Sequence, residues 1–202
     1  MSNISSVPHP AESLVLARVP ANVRERAARI QLMVFDVDGV LTDGALWYGD
    51  NGEMVKRFHA LDGQGMRLLA AGGISVAIIT ARDGAFITRR AADLGIADVQ
   101  QSVHDKVAAL TRLAQKRGVS LDNVGFMGDD INDLEAMRKA GFAVTVPGAP
   151  AYVAQATHWI TESGGGNGAV RECCDVILAA QRRLGPLLDA GAGVRPVSGS
   201  LQ

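Results

Sequence analysis

"LMVFDVDGVLTDG", residues 32–44, opens with four apolar residues and then carries two aspartates one residue apart, Asp36 and Asp38, followed at once by Gly39. A short apolar run closed by a turn residue has the pattern of a strand buried on both faces. A buried strand that delivers paired carboxylates to a glycine turn is either an ordinary strand end or one wall of a charged site. What the rest of the chain brings to the same edge decides between them.

Further strand-like runs follow: "SVAIIT", "NVGFMG" and "GFAVTV". Between them lie the helix-like stretches "DGQGMRLLAAG", "DGAFITRRAADLG", "DKVAALTRLAQKRG" and "INDLEAMRKAG", each closing on a glycine at a plausible C-cap. Apolar strands alternating with helices predict an α/β fold, a doubly wound, Rossmann-like parallel sheet with helices on both faces. One segment departs from the alternation. "ALWYGDNGEMVKRFH" places aromatic and β-branched residues around "GDNG" and predicts a short β-hairpin directly after the aspartate pair.

The predicted organisation is a leader with a short helix over residues 1–29, a catalytic domain over 30–183 and a flexible tail over 184–202, where Gly, Pro and Ser accumulate. The 202 residues suit one full core, and 48% hydrophobic with 20% charged residues is an ordinary globular balance. A formal net charge of -1 offers no basic field for phosphate backbones, which argues against nucleic acid as partner. No run approaches the roughly 20 apolar residues of a membrane helix. The N-terminus shows no basic n-region, so the expected location is cytoplasmic. The adjacent Cys173 and Cys174 do not suit a mutual disulfide and read as buried small residues on a helix.

In open α/β sheets, sites form outside the carboxyl ends of the strands. Those ends carry Asp36 and Asp38, then Thr80-Ala81-Arg82, then Lys106 ahead of a helix, and "GDDIND" with Asp129, Asp130 and Asp133. Each has a plain alternative: a helix cap for Thr80, a solvated helix position for Lys106, first-turn acids for Asp130 and Asp133. Their conjunction in this order points to phosphoryl transfer. Hydrolysing a phosphate monoester demands a barrier reduction of about 20 kcal/mol or more. Clustered carboxylates repel one another unless a divalent cation sits among them, and hard oxygen donors suit Mg²⁺. One carboxylate can serve as nucleophile and a second as general acid and base, while Lys106 and Thr80 hold phosphoryl oxygens.

"DVDGVLTDG", "ITAR", the lysine ahead of a helix and "GDDIND" together resemble the four motifs of the haloacid dehalogenase superfamily of phosphatases, over about residues 31–178. The resemblance implies Asp36 as nucleophile and Asp38 as general acid/base. It implies Mg²⁺ held by Asp36, Asp129 and the backbone carbonyl of Asp38, phosphate held by Thr80 and Lys106, and support from Asp130 and Asp133. "FHALDGQGMRLL" and "GGGNGAVRECCDVIL" are similar to a capless group within it, which acts on 3-deoxy-D-manno-octulosonate 8-phosphate in lipopolysaccharide biosynthesis. That group is homotetrameric and uses its glycine-rich C-terminal segment near a neighbour's site. The gap of about 40 residues between Asp38 and Thr80 leaves no room for a separate cap domain.

Arg82 either recognises a substrate carboxylate or forms a structural ion pair, and Arg171 is a weaker candidate for substrate binding across an interface. His59 reads as structural. Two positions depart from the usual pattern: Ala81 stands where many relatives carry glycine, and Ser102 replaces a glycine ahead of the lysine. Two other readings stay open. One is a phosphatase for a nine-carbon sugar acid 9-phosphate or another small sugar phosphate. The other is a non-catalytic phosphoryl-accepting switch domain, against which Asp38 speaks because such a domain has no use for a general acid there.

Overall fold

The computed structural model describes residues 7–191. In chain order the elements begin with α1 (Pro10–Leu16), α2 (Ala21–Ala27), β1 (Leu32–Phe35), β2 (Trp47–Gly49), β3 (Gly52–Val55) and α3 (Ala60–Ala71). Next come β4 (Ser75–Ile79), α4 (Ala85–Leu94), β5 (Asp98–Gln100), α5 (Lys106–Arg117), β6 (Val124–Met127) and α6 (Ile131–Lys139). The last are β7 (Phe142–Thr145), α7 (Ala151–Ala156), β8 (Trp159–Ile160), α8 (Ala169–Ala180) and α9 (Leu184–Asp189).

Six strands form one sheet in the order β5-β4-β1-β6-β7-β8, with every pairing parallel. The chain winds outward from β1 to one edge, then returns to β1 and winds to the other. Strand order therefore reverses between β1 and β6, the place where such sheets open a crevice at their carboxyl ends. All four residues of β1 are buried because it is covered on both faces. Alternation along the strand divides them: Met33 and Phe35 join the core under α3 and α8, whereas Leu32 and Val34 join the core under α5 and α6. This is the predicted doubly wound sheet. Strands β5 and β8, of three and two residues, are too short to show an apolar signature in the sequence.

The hairpin forms where "GDNG" placed it, with β2 and β3 antiparallel and Gly52 at φ 106 just after the turn. It is a separate two-stranded sheet whose apolar residues face outward, Trp47 59% and Tyr48 60% exposed. The helix ends divide by cause. Gly95 and Gly118 are left-handed C-caps of α4 and α5 as expected. Gly141, by contrast, is no cap, since α6 ends at Ala140 in extended conformation. A Cβ on Gly141 would lie 1.9 Å from the Asp122 carbonyl oxygen, so close backbone approach is what requires glycine there.

Both ends of the described chain differ from expectation. The leader contains α1, opened by a capping box in which His9 Nδ1 accepts from the Ala11 amide and Glu12 accepts from the His9 amide. The stretch read as the start of a flexible tail contains α9, with Leu184 buried. Pro186 misleads the reading because it sits in the first turn of α9, where its missing N–H costs nothing. The two ends are tied together by the buried Glu12, whose Oε1 accepts from the Gly185 amide at 2.9 Å. The rest of the predicted tail, 192–202, lies outside the described residues.

Removing the Glu12 carboxylate leaves the Gly185 amide buried without a partner. Glu12→Ala should therefore lower unfolding stability by about 1–3 kcal/mol, seen as a lower urea midpoint at unchanged slope. A leader free of the core would give no change.

Candidate active site

Asp36 follows β1, Thr80 follows β4, Asp129 follows β6 by one glycine, and Lys106 opens α5. Because β1 pairs with β4 and β6 in register, Phe35 opposite Ile78 and Met127, the residues that follow these strands emerge at one level. They line a cleft of about 250 Å³ together with Asp38, Arg82, Asp130 and Asp133. The structure thus brings together eight of the nine candidates.

The centre of the cleft is a lysine among carboxylates. Lys106 Nζ lies 2.9 Å from Asp36 Oδ1 and 2.6 Å from Asp133 Oδ1, with its side chain only 2% exposed. Asp133 is engaged through both oxygens, since its other oxygen accepts from the Asp129 amide at 3.1 Å and the Asp130 amide at 3.2 Å. It therefore holds the turn that carries Asp129. Asp130 caps α6 by accepting from the Ile131 amide at 2.7 Å. Asp36, Asp129 and Asp133 each place one oxygen within 4.8 Å of the others, a carboxylate cluster able to hold a metal ion.

Burial and mutual repulsion both act on the carboxylates of this cluster. Burial first, and Asp133 second, push Asp36 up to about 7, although Lys106 opposes the shift. Burial, then Asp133 and Asp36, push Asp129 up to about 7 as well. For Lys106, burial disfavours the ammonium, but the Asp36 and Asp133 carboxylates together outweigh it and raise its pKa. One lysine does not neutralise three acids, and a divalent cation fits the deficit.

Glycine permits the turn under the cluster. Gly39 has φ 83, and a Cβ there would lie 2.0 Å from Asp129 Oδ2. Thr42 closes the turn, its Oγ1 donating to the Val37 carbonyl and accepting from the Gly44 amide at 3.2 Å. The Thr80 loop is stitched to the next one: Val103 donates to the Thr80 carbonyl at 3.0 Å and Ser102 to the Arg82 carbonyl at 3.3 Å. Ser102 takes φ 55 to do so, which explains why glycine suits that position.

The structure corrects some expectations and adds others. Arg82 is engaged as an ion pair, with Nη2 2.9 Å from Glu53 Oε2 and Nε 3.6 Å from Asp38 Oδ2. Hydrogen bonds to Tyr48 and Glu53, and the charge of Asp38, raise its pKa. Arg171 does not line the cleft; its Nε donates to both oxygens of Asp175 at 2.8 Å along α8. The glycine-rich segment packs on this chain's own turn after β1, where a Cβ at Gly165 would lie 1.8 Å from the Gly39 carbonyl oxygen. His59 occupies the N-cap position of α3 without a capping bond from its side chain, and both cysteines are free and buried. Sequence reasoning missed Lys56 and Glu53. Lys56 Nζ contacts Asp38 Oδ1 directly and lies 3.0 Å from Glu53 Oε1. The signal available was an i, i+3 acid–base pair on the hairpin that follows the aspartates.

Asp36 and Asp129 titrate near 7 in the native cluster and at 3.8 in an unperturbed chain, so between these values the folded state binds more protons. The metal-free protein should accordingly lose thermal stability as pH rises from 4 to 7. Asp129→Asn should flatten that decline, and added Mg²⁺ should raise Tm more at pH 8 than at pH 5. A metal-free Tm that climbs through this window in the wild type alone would contradict the geometry.

Residues 92–172 match the haloacid dehalogenase-like hydrolase family. The 3-deoxy-D-manno-octulosonate 8-phosphate phosphatase KdsC of Escherichia coli is 40% identical over 166 residues, 82% of this chain and 88% of that protein. Among solved structures, a hypothetical protein from Xanthomonas campestris superposes with TM-score 0.84 at 45% identity, covering 87% of this chain and 96% of its own. The 3-deoxy-D-manno-octulosonate 8-phosphate phosphatase of Moraxella catarrhalis, solved with a magnesium ion, a phosphate ion and a KDO molecule, gives TM-score 0.81 at 40% identity. It covers 84% of this chain and 97% of its own.

Proposed function

Because the chain belongs to the haloacid dehalogenase-like hydrolases, within them to the 3-deoxy-D-manno-octulosonate 8-phosphate phosphatases, we propose that it hydrolyses that sugar-acid phosphate to 3-deoxy-D-manno-octulosonate and phosphate with Mg²⁺. One observation carries the reading: at the sheet's switch point Asp36 stands against Lys106 and two further carboxylates, in a chain so similar to phosphatases of that substrate.

Asp36 attacks phosphorus, forming an aspartyl-phosphate as the ester bond breaks, and Asp38 protonates the departing alkoxide. Water then attacks the aspartyl-phosphate while Asp38 takes its proton. Lys106 and Thr80 hold phosphoryl oxygens; Lys106 already reaches Asp36 at 2.9 Å, so it sits where the phosphoryl group is exchanged. Asp36, Asp129 and the Asp38 carbonyl would hold Mg²⁺, which supplies charge neutralisation at the phosphoryl oxygens. Asp130 and Asp133 support that site by fixing its turn. Arg82 takes the substrate carboxylate, exchanging Glu53 for it, and Arg171 serves substrate binding only where subunits meet.

The assembly is read as a homotetramer. The exposed apolar residues of the hairpin, and the absence of a cap within the described residues to exclude water, favour subunit contacts over an isolated site. No helix of the described residues is long and apolar enough to cross a membrane. The protein is read as cytoplasmic, and two free buried cysteines support that.

With Mg²⁺, the wild type should release phosphate from 3-deoxy-D-manno-octulosonate 8-phosphate in preference to other sugar phosphates, and Asp36→Asn should abolish release. Preference for a nine-carbon acid 9-phosphate would keep the mechanism and move the substrate. A stable acid-labile phosphoprotein without turnover would support the switch reading instead. Light scattering should give a mass four times that of the chain, and a monomeric mass would remove the tetramer.

A further inference from the structure

Lys56 lies just past β3, on a hairpin that carries no apolar core of its own, yet its side chain is 3% exposed. Its ammonium contacts Asp38 Oδ1 and lies 3.0 Å from Glu53 Oε1, and Glu53 Oε2 accepts from Arg82 Nη2 at 2.9 Å. Arg82 Nε faces the other Asp38 oxygen at 3.6 Å. The two oxygens of Asp38 are thus divided between two cations, and Glu53 ties those cations together. Asp38 is two residues from Asp36, but its carboxylate is not part of the Asp36–Asp129–Asp133 cluster.

Burying an ion pair carries a desolvation cost that its mutual attraction often only offsets, so an apolar residue at position 56 would serve the hairpin at least as well. What the lysine achieves is directional. A carboxyl group left free beside the cluster can rotate about two bonds, and holding a catalytic group in place is itself worth orders of magnitude in rate. We propose that Lys56, fixed by Glu53, is a positioning residue that holds the Asp38 carboxyl group over the leaving oxygen.

The inference rests on the phosphatase reading. In the first half-reaction the Asp36–phosphorus bond forms, the ester oxygen–phosphorus bond breaks, and the proton passes from Asp38 to the leaving oxygen. In the second, a water oxygen–phosphorus bond forms, the Asp36–phosphorus bond breaks, and Asp38 recovers a proton from water. Lys56 keeps its protons throughout. Its contribution is therefore confined to steps in which Asp38 moves a proton; in the first half-reaction it should vanish when the leaving group departs unaided, while the water attack common to both esters keeps it.

The test compares two esters on the full-length protein with Mg²⁺. One is 3-deoxy-D-manno-octulosonate 8-phosphate, whose alkoxide needs a proton; the other is p-nitrophenyl phosphate, whose phenolate does not. Lys56→Met should lower kcat on the sugar ester about 100-fold, with KM changed less than about threefold and a loss on the aryl ester about tenfold smaller. Lys56→Arg should recover part of the sugar-ester rate, and Glu53→Gln should shift the ratio of the two rates in the same direction as Lys56→Met. Equal losses of kcat/KM on both esters, which reports only the phosphorylation of Asp36, or a change confined to KM, would overturn the positioning role while leaving the phosphatase intact. A wild type inactive on both esters would overturn the phosphatase reading, and this inference with it.

Discussion

The constraint on which the rest depends is a buried lysine that must be surrounded by carboxylates. Lys106 has almost no contact with water, so its charge survives only because Asp36 and Asp133 lie within hydrogen-bonding distance. Satisfying it fixes three separate parts of the chain: the end of β1, the start of α5 and the first turn of α6. Asp133 then has an oxygen left for the amides of Asp129 and Asp130, and this seats a third carboxylate beside the first two. The assembly leaves excess negative charge in a site already shielded from water. Burial first, and the neighbouring carboxylates second, push the pKa values of Asp36 and Asp129 up, and the cluster suits a divalent cation.

The sheet makes this possible at little cost. At the switch point, neighbouring connections run to opposite faces, and a crevice opens without any side chain having to be displaced. The strands beneath are close-packed, with Phe35, Phe126 and Phe142 all fully buried. The turns that carry the cleft residues rest on that floor, so these side chains are held by rigid elements rather than by loops alone. Two glycine contacts complete the arrangement. Gly39 lets the turn after β1 pass beneath Asp129, and Gly165 lets the late glycine-rich segment brace that same turn.

The hairpin brings polar side chains to the edge of the carboxylate cleft. It contributes Lys56, Glu53 and Tyr48, which order Asp38 and Arg82. Its outer face remains apolar and exposed, a surface of the kind that second subunits cover. In a protein without a cap among its described residues, one small two-stranded unit thus carries both the inner polar contacts and the outer apolar ones.

Much was legible in the sequence because the determining signals are local. Apolar strands ending in Asp36, Thr80 and Asp129, the "GDNG" turn, and helices ending at Gly95 and Gly118 depend on residues close together in the chain, where period, turn chemistry and capping act directly. From these the doubly wound sheet followed, and with it the edge at which the acids gather. Helices α1 and α9 escaped notice because short helices draw their stability from docking, here through Glu12 and Gly185, which are far apart in sequence. Lys56 escaped because an exposed hairpin lysine and a buried one look the same in a string of letters. The division of labour between Asp133, Asp38 and Asp129, and the retreat of Arg171 to Asp175, were likewise decided only in three dimensions. Sequence by itself determined which chemical groups reach the edge of the sheet; tertiary structure decided which of them touch, because burial and charge pairing act between residues that the chain alone does not bring together.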